Sequence, residues 1–180
     1  MKSKLNIKKE VFQWFFSLAF AVVLALVINT YVFARSTVSG TSMLPTLVDK
    51  DSILVEKLSL LTKSIKRGQI IIFNSENATK DIYVKRVIGI EGDTVELKKG
   101  KVYLNGTELK EPYLKENTQT NSGSFLEENQ KITVPKGSVF VLGDNREVSN
   151  DSRFLGFIGT KEIDGHVIFR AYPFNTIKGF

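Results

Sequence analysis

A mainly β domain of barrel-like or sandwich form, tethered by a single N-terminal transmembrane helix, is the fold this sequence predicts. Three observations carry that expectation. An uncharged apolar run of 24 residues lies near the N-terminus, and after Ser36 the chain breaks into short apolar runs punctuated by Gly, Pro, Asn and Asp. An Asn-Gly pair, Asn105-Gly106, also separates two of those runs. With 180 residues, the chain can build one domain with its own core. It has no cysteine and one histidine, His166, which excludes disulfides, thiol catalysis and a multi-histidine metal site. No metal and no cofactor are expected. The net charge is +6, but Lys2, Lys4, Lys8 and Lys9 fall in the first ten residues. The basicity is therefore local, and nucleic acid is not an expected partner.

Residues 1–10 read as a basic cytoplasmic tail. Residues 11–34, VFQWFFSLAFAVVLALVINTYVFA, contain no charge and exceed the roughly 20 residues a helix needs to cross a hydrocarbon core of about 30 Å. Trp14 and Tyr31 stand near the two edges, as interfacial aromatics do, and the preceding lysines orient the N-terminus inward and the body outward. A cleaved signal peptide is the rival reading, with Val32-Phe33-Ala34 as its cleavage site. Its apolar region would be only about 7–15 residues, and this run is longer.

Residues 35–180 form the extracytoplasmic domain. SILVEKL, GQIIIFN, DIYVKRVIGI, DTVELKK, KVYLNGTEL, KITVP, SVFVLGDN and GHVIFRAYPF each read as a strand or hairpin at fairly regular spacing. Asn105-Gly106 is a two-residue hairpin turn signal. VEKLSLLTKSIK is ambiguous between helix and strand. Residues 114–130, LKENTQTNSGSFLEENQ, are polar and read as an exposed loop or hairpin excursion. This texture belongs to antiparallel β architecture rather than a parallel α/β sheet.

Three places have the residues for chemistry. In TVSGTSMLPTL, Gly40 permits a backbone conformation closed to other residues and Pro45 fixes a turn, holding Ser42 exposed with its N–H free. Taken alone, that stretch reads more readily as an ordinary turn or helix N-cap. In DIYVKRVIGI, alternation puts Tyr83, Lys85 and Val87 on one strand face and Arg86 on the other, all among apolar neighbours. A desolvated lysine gives up its proton readily and becomes a general base; the competing picture is a strand edge with solvated charges. In GDNREVSNDSRFLG, Asp144, Arg146, Asp151 and Arg153 offer two oppositely charged couples, with Ser149 and Ser152 beside them. A solvated turn accounts for that loop as well. Together the three supply a nucleophile, a base and a polar scaffold, which points to serine–lysine chemistry.

SGTSMLPTL, DIYVKRVIG and GDNREVSNDSRFLG, in this order behind one anchor, resemble the sequence boxes of the type I signal peptidases, and the similarity covers nearly the whole chain. The resemblance implies that Ser42 is the nucleophile and half of the oxyanion hole through its N–H. It implies that Lys85 is the general base and that Ser149 orients it by a hydrogen bond. Gly40 stands where some relatives carry a serine whose hydroxyl is the second oxyanion donor. Arg86, Asp144, Arg146, Asp151 and Arg153 correspond to bracing positions. The 57 residues between Lys85 and Gly143 (86–142) look like the compact forms of Gram-positive bacteria. The implied substrates are signal peptides of exported preproteins, cut after small residues at −1 and −3. The implied setting is membrane lipid near the secretion translocon. A non-catalytic membrane-tethered β module and a self-cleaving serine–lysine regulator are the alternatives. A penicillin-binding type of enzyme would need Ser-x-x-Lys, which does not occur.

Overall fold

The computed structural model describes residues 7–27, 32–57, 65–74 and 82–180. Helix α1, Ile7–Val27, carries the apolar run. From Lys9 to Leu26 it is long and apolar enough to cross a membrane, and none of it is buried against the rest of the protein. Trp14, Phe15, Leu18 and Phe20 are all about two-thirds exposed or more. A helix apolar all round with no protein partner has a lipid-facing surface. The far end of the run differs from expectation: Phe33 and Ala34 open strand β1, Phe33–Thr37, instead of closing the helix. An aromatic residue at Phe33 favours extended backbone, and this strand has a partner to pair with in β2.

The body is built on antiparallel sheets. The strands are β2 (Ser52–Glu56), β3 (Ile70–Asn74), β4 (Ile82–Ile90), β5 (Thr94–Lys98), β6 (Lys101–Leu104), β7 (Thr107–Glu108), β8 (Lys131–Thr133), β9 (Ser138–Leu142), β10 (Ile158–Gly159), β11 (Ile163–Tyr172) and β12 (Lys178–Gly179). The large sheet runs β1-β2-β11-β3-β4-β9-β10, with β12 beside β11, and a smaller one runs β7-β6-β5-β8. Most expected runs became strands for visible reasons. Ile70 to Phe73 are all buried, as an unbroken apolar run demands when both strand faces are covered. In β5 the burial alternates, as expected of a half-buried strand. Asn105 and Gly106 both have positive φ, the signature of the hairpin turn they were expected to form.

One expectation changes. Residues 114–130 are not simply an exposed excursion: Leu126 is fully buried in the core beneath the small sheet, and Thr120 is buried against the loop after β9. One apolar side chain in a polar tract is enough to dock it. Most of the ambiguous VEKLSLLTKSIK stretch lies outside the described residues; its Val55 and Glu56 belong to β2. A short helix, α2 (Ser152–Leu155), went unread because one turn has no periodicity to read. The Asp151 side chain caps it, accepting from the Arg153 N–H.

Strand β4 runs through the middle of the large sheet but is paired unevenly. It pairs with β3 along Ile82–Arg86, but with β9 only from Arg86 onward. Among the described residues, 82–85 therefore have no strand paired on their second side.

Candidate active site

The Ser42 loop is fixed from below. Met43 and Leu47 are buried in the core, so the chain dives inward past the turn and leaves Ser42 half-buried at its crest. The loop is closed at its base by Val38 N–H to Asp51 O and Lys50 N–H to Val38 O, each 2.9 Å. Gly40 has φ +91°, a conformation that a side chain strains against, and its N–H donates to Asp49 Oδ1 at 2.9 Å. Among the described residues, no acceptor takes the Ser42 N–H.

Lys85 reaches this crest from β4. Its Nζ donates to Ser42 Oγ at 2.8 Å and to Val84 O at 3.2 Å, and lies 5.3 Å from the centre of the Tyr83 ring. Lys85 is 3% exposed. Burial pulls its pKa down to about 8, against an opposing pull from the Asp151 carboxylate. Its neighbour Arg86 points the other way, as strand alternation requires. It is held bidentately by Asp144 (2.8 and 2.6 Å), donates to Gly68 O, and lies over the Tyr113 ring at 4.0 Å.

The loop after β9 forms the third side. Asp144, Arg146, Asp151 and Arg153 are all buried, so it is no solvated turn. Only Asp151 and Arg153 pair with each other; Asp144 pairs with Arg86, and Arg146 with Glu111. Arg153 also donates to the carbonyls of Arg146, Ser149 and Asn121, tying both ends of the loop together. Ser149 is buried, but its hydroxyl has no hydrogen-bond partner among the described residues. The bond to Lys85 that the resemblance implies is therefore not made here. Ser149 packs instead against Gly143, where an added Cβ would fall into the Ser149 side chain and the Ser42 carbonyl oxygen. His166 faces Glu56, Nδ1 to Oε2 at 2.9 Å, across β2 and β11.

Three side chains at the site carried no clear signal in the sequence. Asn145 N–H donates to Ser42 O at 2.9 Å and its Nδ2 to Thr41 O at 3.1 Å, clamping the two residues at the crest. Arg170 Nη1 donates to Thr46 O and Asp51 Oδ2, both at 3.1 Å, bracing the same loop from β11. Asn145 sits in a Gly-Asp-Asn triplet, which is common in turns; Arg170 and Asp51 lie far apart in sequence, and only the pairing of β11 with β2 brings them together.

Between the Ser42 loop and the free edge of β4 runs a cleft of about 600 Å³, lined by Ser36 to Met43 on one side and Ile82 to Lys85 on the other.

Known proteins share this chain's sequence along nearly all its length. Signal peptidase IB of Staphylococcus aureus (strain COL) is 37% identical over 182 residues, covering 95% of this chain and 94% of that protein. Signal peptidase I of Bacillus amyloliquefaciens is 40% identical over 181 residues, covering 98% and 96%. A crystal structure of a signal peptidase I from Enterococcus faecalis V583 covers 57% of this chain and 96% of that one, at 33% identity and a TM-score of 0.48. Residues 11–172 match the family described as signal peptidase, peptidase S26. With one pattern spanning anchor, Ser42 loop, β4 and the loop after β9, the chain belongs to the signal peptidase family, peptidase S26.

Proposed function

We propose that this protein is a membrane-anchored serine endopeptidase that removes signal peptides from exported preproteins by a Ser42–Lys85 dyad. The observation that carries the reading is the 2.8 Å contact between Lys85 Nζ and Ser42 Oγ, made by an amine whose pKa burial lowers to about 8, so that a neutral fraction is present near physiological pH. When the amine is neutral, the same contact lets the Ser42 hydroxyl donate to the nitrogen lone pair. Ser42 Oγ then attacks the carbonyl of the −1 residue as its proton passes to Nζ. The Ser42 N–H faces the developing oxyanion; the Gly40 N–H is already committed to Asp49, and Gly40 has no hydroxyl to offer as a second donor. The ammonium protonates the leaving amine, and a water activated by the same base hydrolyses the acyl-enzyme.

An extended substrate has a place to lie: the unpaired edge of β4 at residues 82–85, where it adds as a strand. Alternate side chains then point into the cleft, which suits discrimination at −1 and −3. On this reading the cleft works at the membrane, beside lipid and near the translocon, with the N-terminus cytoplasmic and the catalytic domain on the extracytoplasmic face, as the apolar span and the preceding lysines favour. Ser149, whose buried hydroxyl has no other partner among the described residues, is assigned to orient the amine once it turns toward Nζ, and Arg86, Asp144, Arg146, Asp151 and Arg153 to brace the loop.

The test is incubation of the detergent-solubilised protein with a preprotein, mapping any cut. Wild type is expected to cut once, after small residues at −1 and −3; Ser42→Ala and Lys85→Ala are expected to cut at background. Ser149→Ala is expected to lower kcat with KM unchanged. An uncut preprotein with wild type sinks the reading, as does a folded Lys85→Ala of near-normal rate. His166→Ala should leave the chemistry intact, since His166 is engaged with Glu56.

A further inference from the structure

The cleft beside Ser42 does not end at Ser36 and Ile82. A second cavity of about 420 Å³ shares both residues with it and continues along β1. Its centre is apolar: Ala34 lines one side, and Val55, Ile72 and Ile163, each 5% exposed or less, form the floor. Ile82, 64% exposed, closes the near wall. Arg35, Lys57 and Asp164 stand at the rim, and two of them bond sideways. Arg35 Nε donates to Ser52 Oγ at 2.8 Å, and Asp164 accepts from Asn74 Nδ2 at 2.6 Å.

Strand geometry gives the two cavities a common ruler. Ala34 and Ser36 are the inward residues of β1, alternating with exposed Arg35 and Thr37, and Val38 continues the series into the core. Each step of two residues advances roughly 6.6–6.8 Å along a strand, the same repeat that separates like-facing side chains of an extended substrate. On the peptidase reading, a substrate strand laid along β4 with its −1 residue beside Lys85 brings its −3 residue beside Tyr83, with Ser36 lining the facing wall. The next like-facing side chain, at −5, passes Ile82 into the cavity walled by Ala34.

The direction follows from connectivity. β1 begins six residues after α1 ends, a link that spans at most about 20 Å. The Ala34 end of the groove is thus the anchor end, and the substrate's upstream, membrane-buried part must approach from there. On this basis, and resting on the peptidase reading, we propose that the cavity formed by Ala34, Val55, Ile72, Ile82 and Ile163 is a third recognition subsite, taking an apolar side chain at −5.

The experiment measures kcat/KM for a preprotein with Ala at −1 and −3 and with Leu, Ala or Asp at −5, using the full-length protein in detergent. Leu is expected to exceed Ala by roughly tenfold, the usual worth of filling an apolar pocket, and Asp to fall below Ala. Ala34→Phe, which fills the cavity, is expected to bring the Leu-to-Ala ratio close to one. The substrate series on wild type stands by itself if that variant does not fold. Equal rates for the three substrates overturn the subsite and leave the peptidase reading standing. Preference for Asp overturns it too, by making Arg35 and Lys57 the readers. No cleavage of any of them overturns both.

Discussion

Burying an amine beside a hydroxyl sets both a catalytic and a stability property of Lys85. Because burial lowers its pKa to about 8, the neutral, proton-accepting form grows as pH rises through 8. The kcat/KM profile is expected to show an acidic limb near there, falling tenfold per pH unit below it. A limb at the ordinary lysine value of ~10.4 would remove the basis for the dyad. Lys85→Arg should be inactive, because a guanidinium stays protonated. The stability consequence has a definite sign. The folded pKa lies below the unfolded one, so between about pH 8 and 10.5 the unfolded chain binds the extra proton and stability rises with pH. Below pH 8 the cost is fully present, about 3 kcal/mol for a shift of this size. Lys85→Met is therefore expected to abolish cleavage while raising the urea midpoint at pH 7, and to lose that advantage by pH 10.5.

At the scale of the element, the loop between β9 and α2 is held by charge as much as by turn geometry. Asp151 is fully buried and its partner Arg153 is 2% exposed. Arg153→Met strands that carboxylate, at an expected cost of about 3–5 kcal/mol, measurable by denaturation. Gly143→Ala tests the close approach differently. Its Cβ has no room beside Ser149 and the Ser42 carbonyl, so it should lose both activity and stability, whereas Ala at Gly106, where nothing lies within 4 Å, should cost only turn strain. The strands around this loop were readable from apolar runs and turn residues, because burial and backbone preference are local. The pairing of its charges was not. Arg86 with Asp144 and Arg146 with Glu111 are separated by 58 and 35 residues, and nothing local distinguishes them from the couples within the loop itself.

At the scale of the molecule, anchor and body are joined by a short link, and the described part of α1 packs on nothing in the body. Removing residues 1–31 is expected to leave the unfolding free energy of the body within about 0.5 kcal/mol, as for changes that touch no core. The same truncation should abolish association with lipid vesicles; retention of tight binding would mean the body carries its own membrane surface. The large sheet, with the loop between β1 and β2, holds Ser42, Lys85 and the cleft, and the connection from β7 to β8, through Leu126, Thr120 and Glu111, props the loop that backs them.

The amino-acid sequence by itself determined an uncharged span of bilayer length, a β body, and three short motifs that carry a serine, a lysine and a polar loop. These follow from composition, periodicity and turn chemistry, which act over a few residues. Only the tertiary structure decided that β9 stops short, leaving the edge of β4 open beside Ser42, and that Asn145 grips the Ser42 loop at Thr41 and Ser42 while Arg170 grips it at Thr46. It also turned the unremarkable Ala34 into the wall of a groove. Such features depend on which strands pair and in what register, and register is a property of the whole core rather than of any one segment.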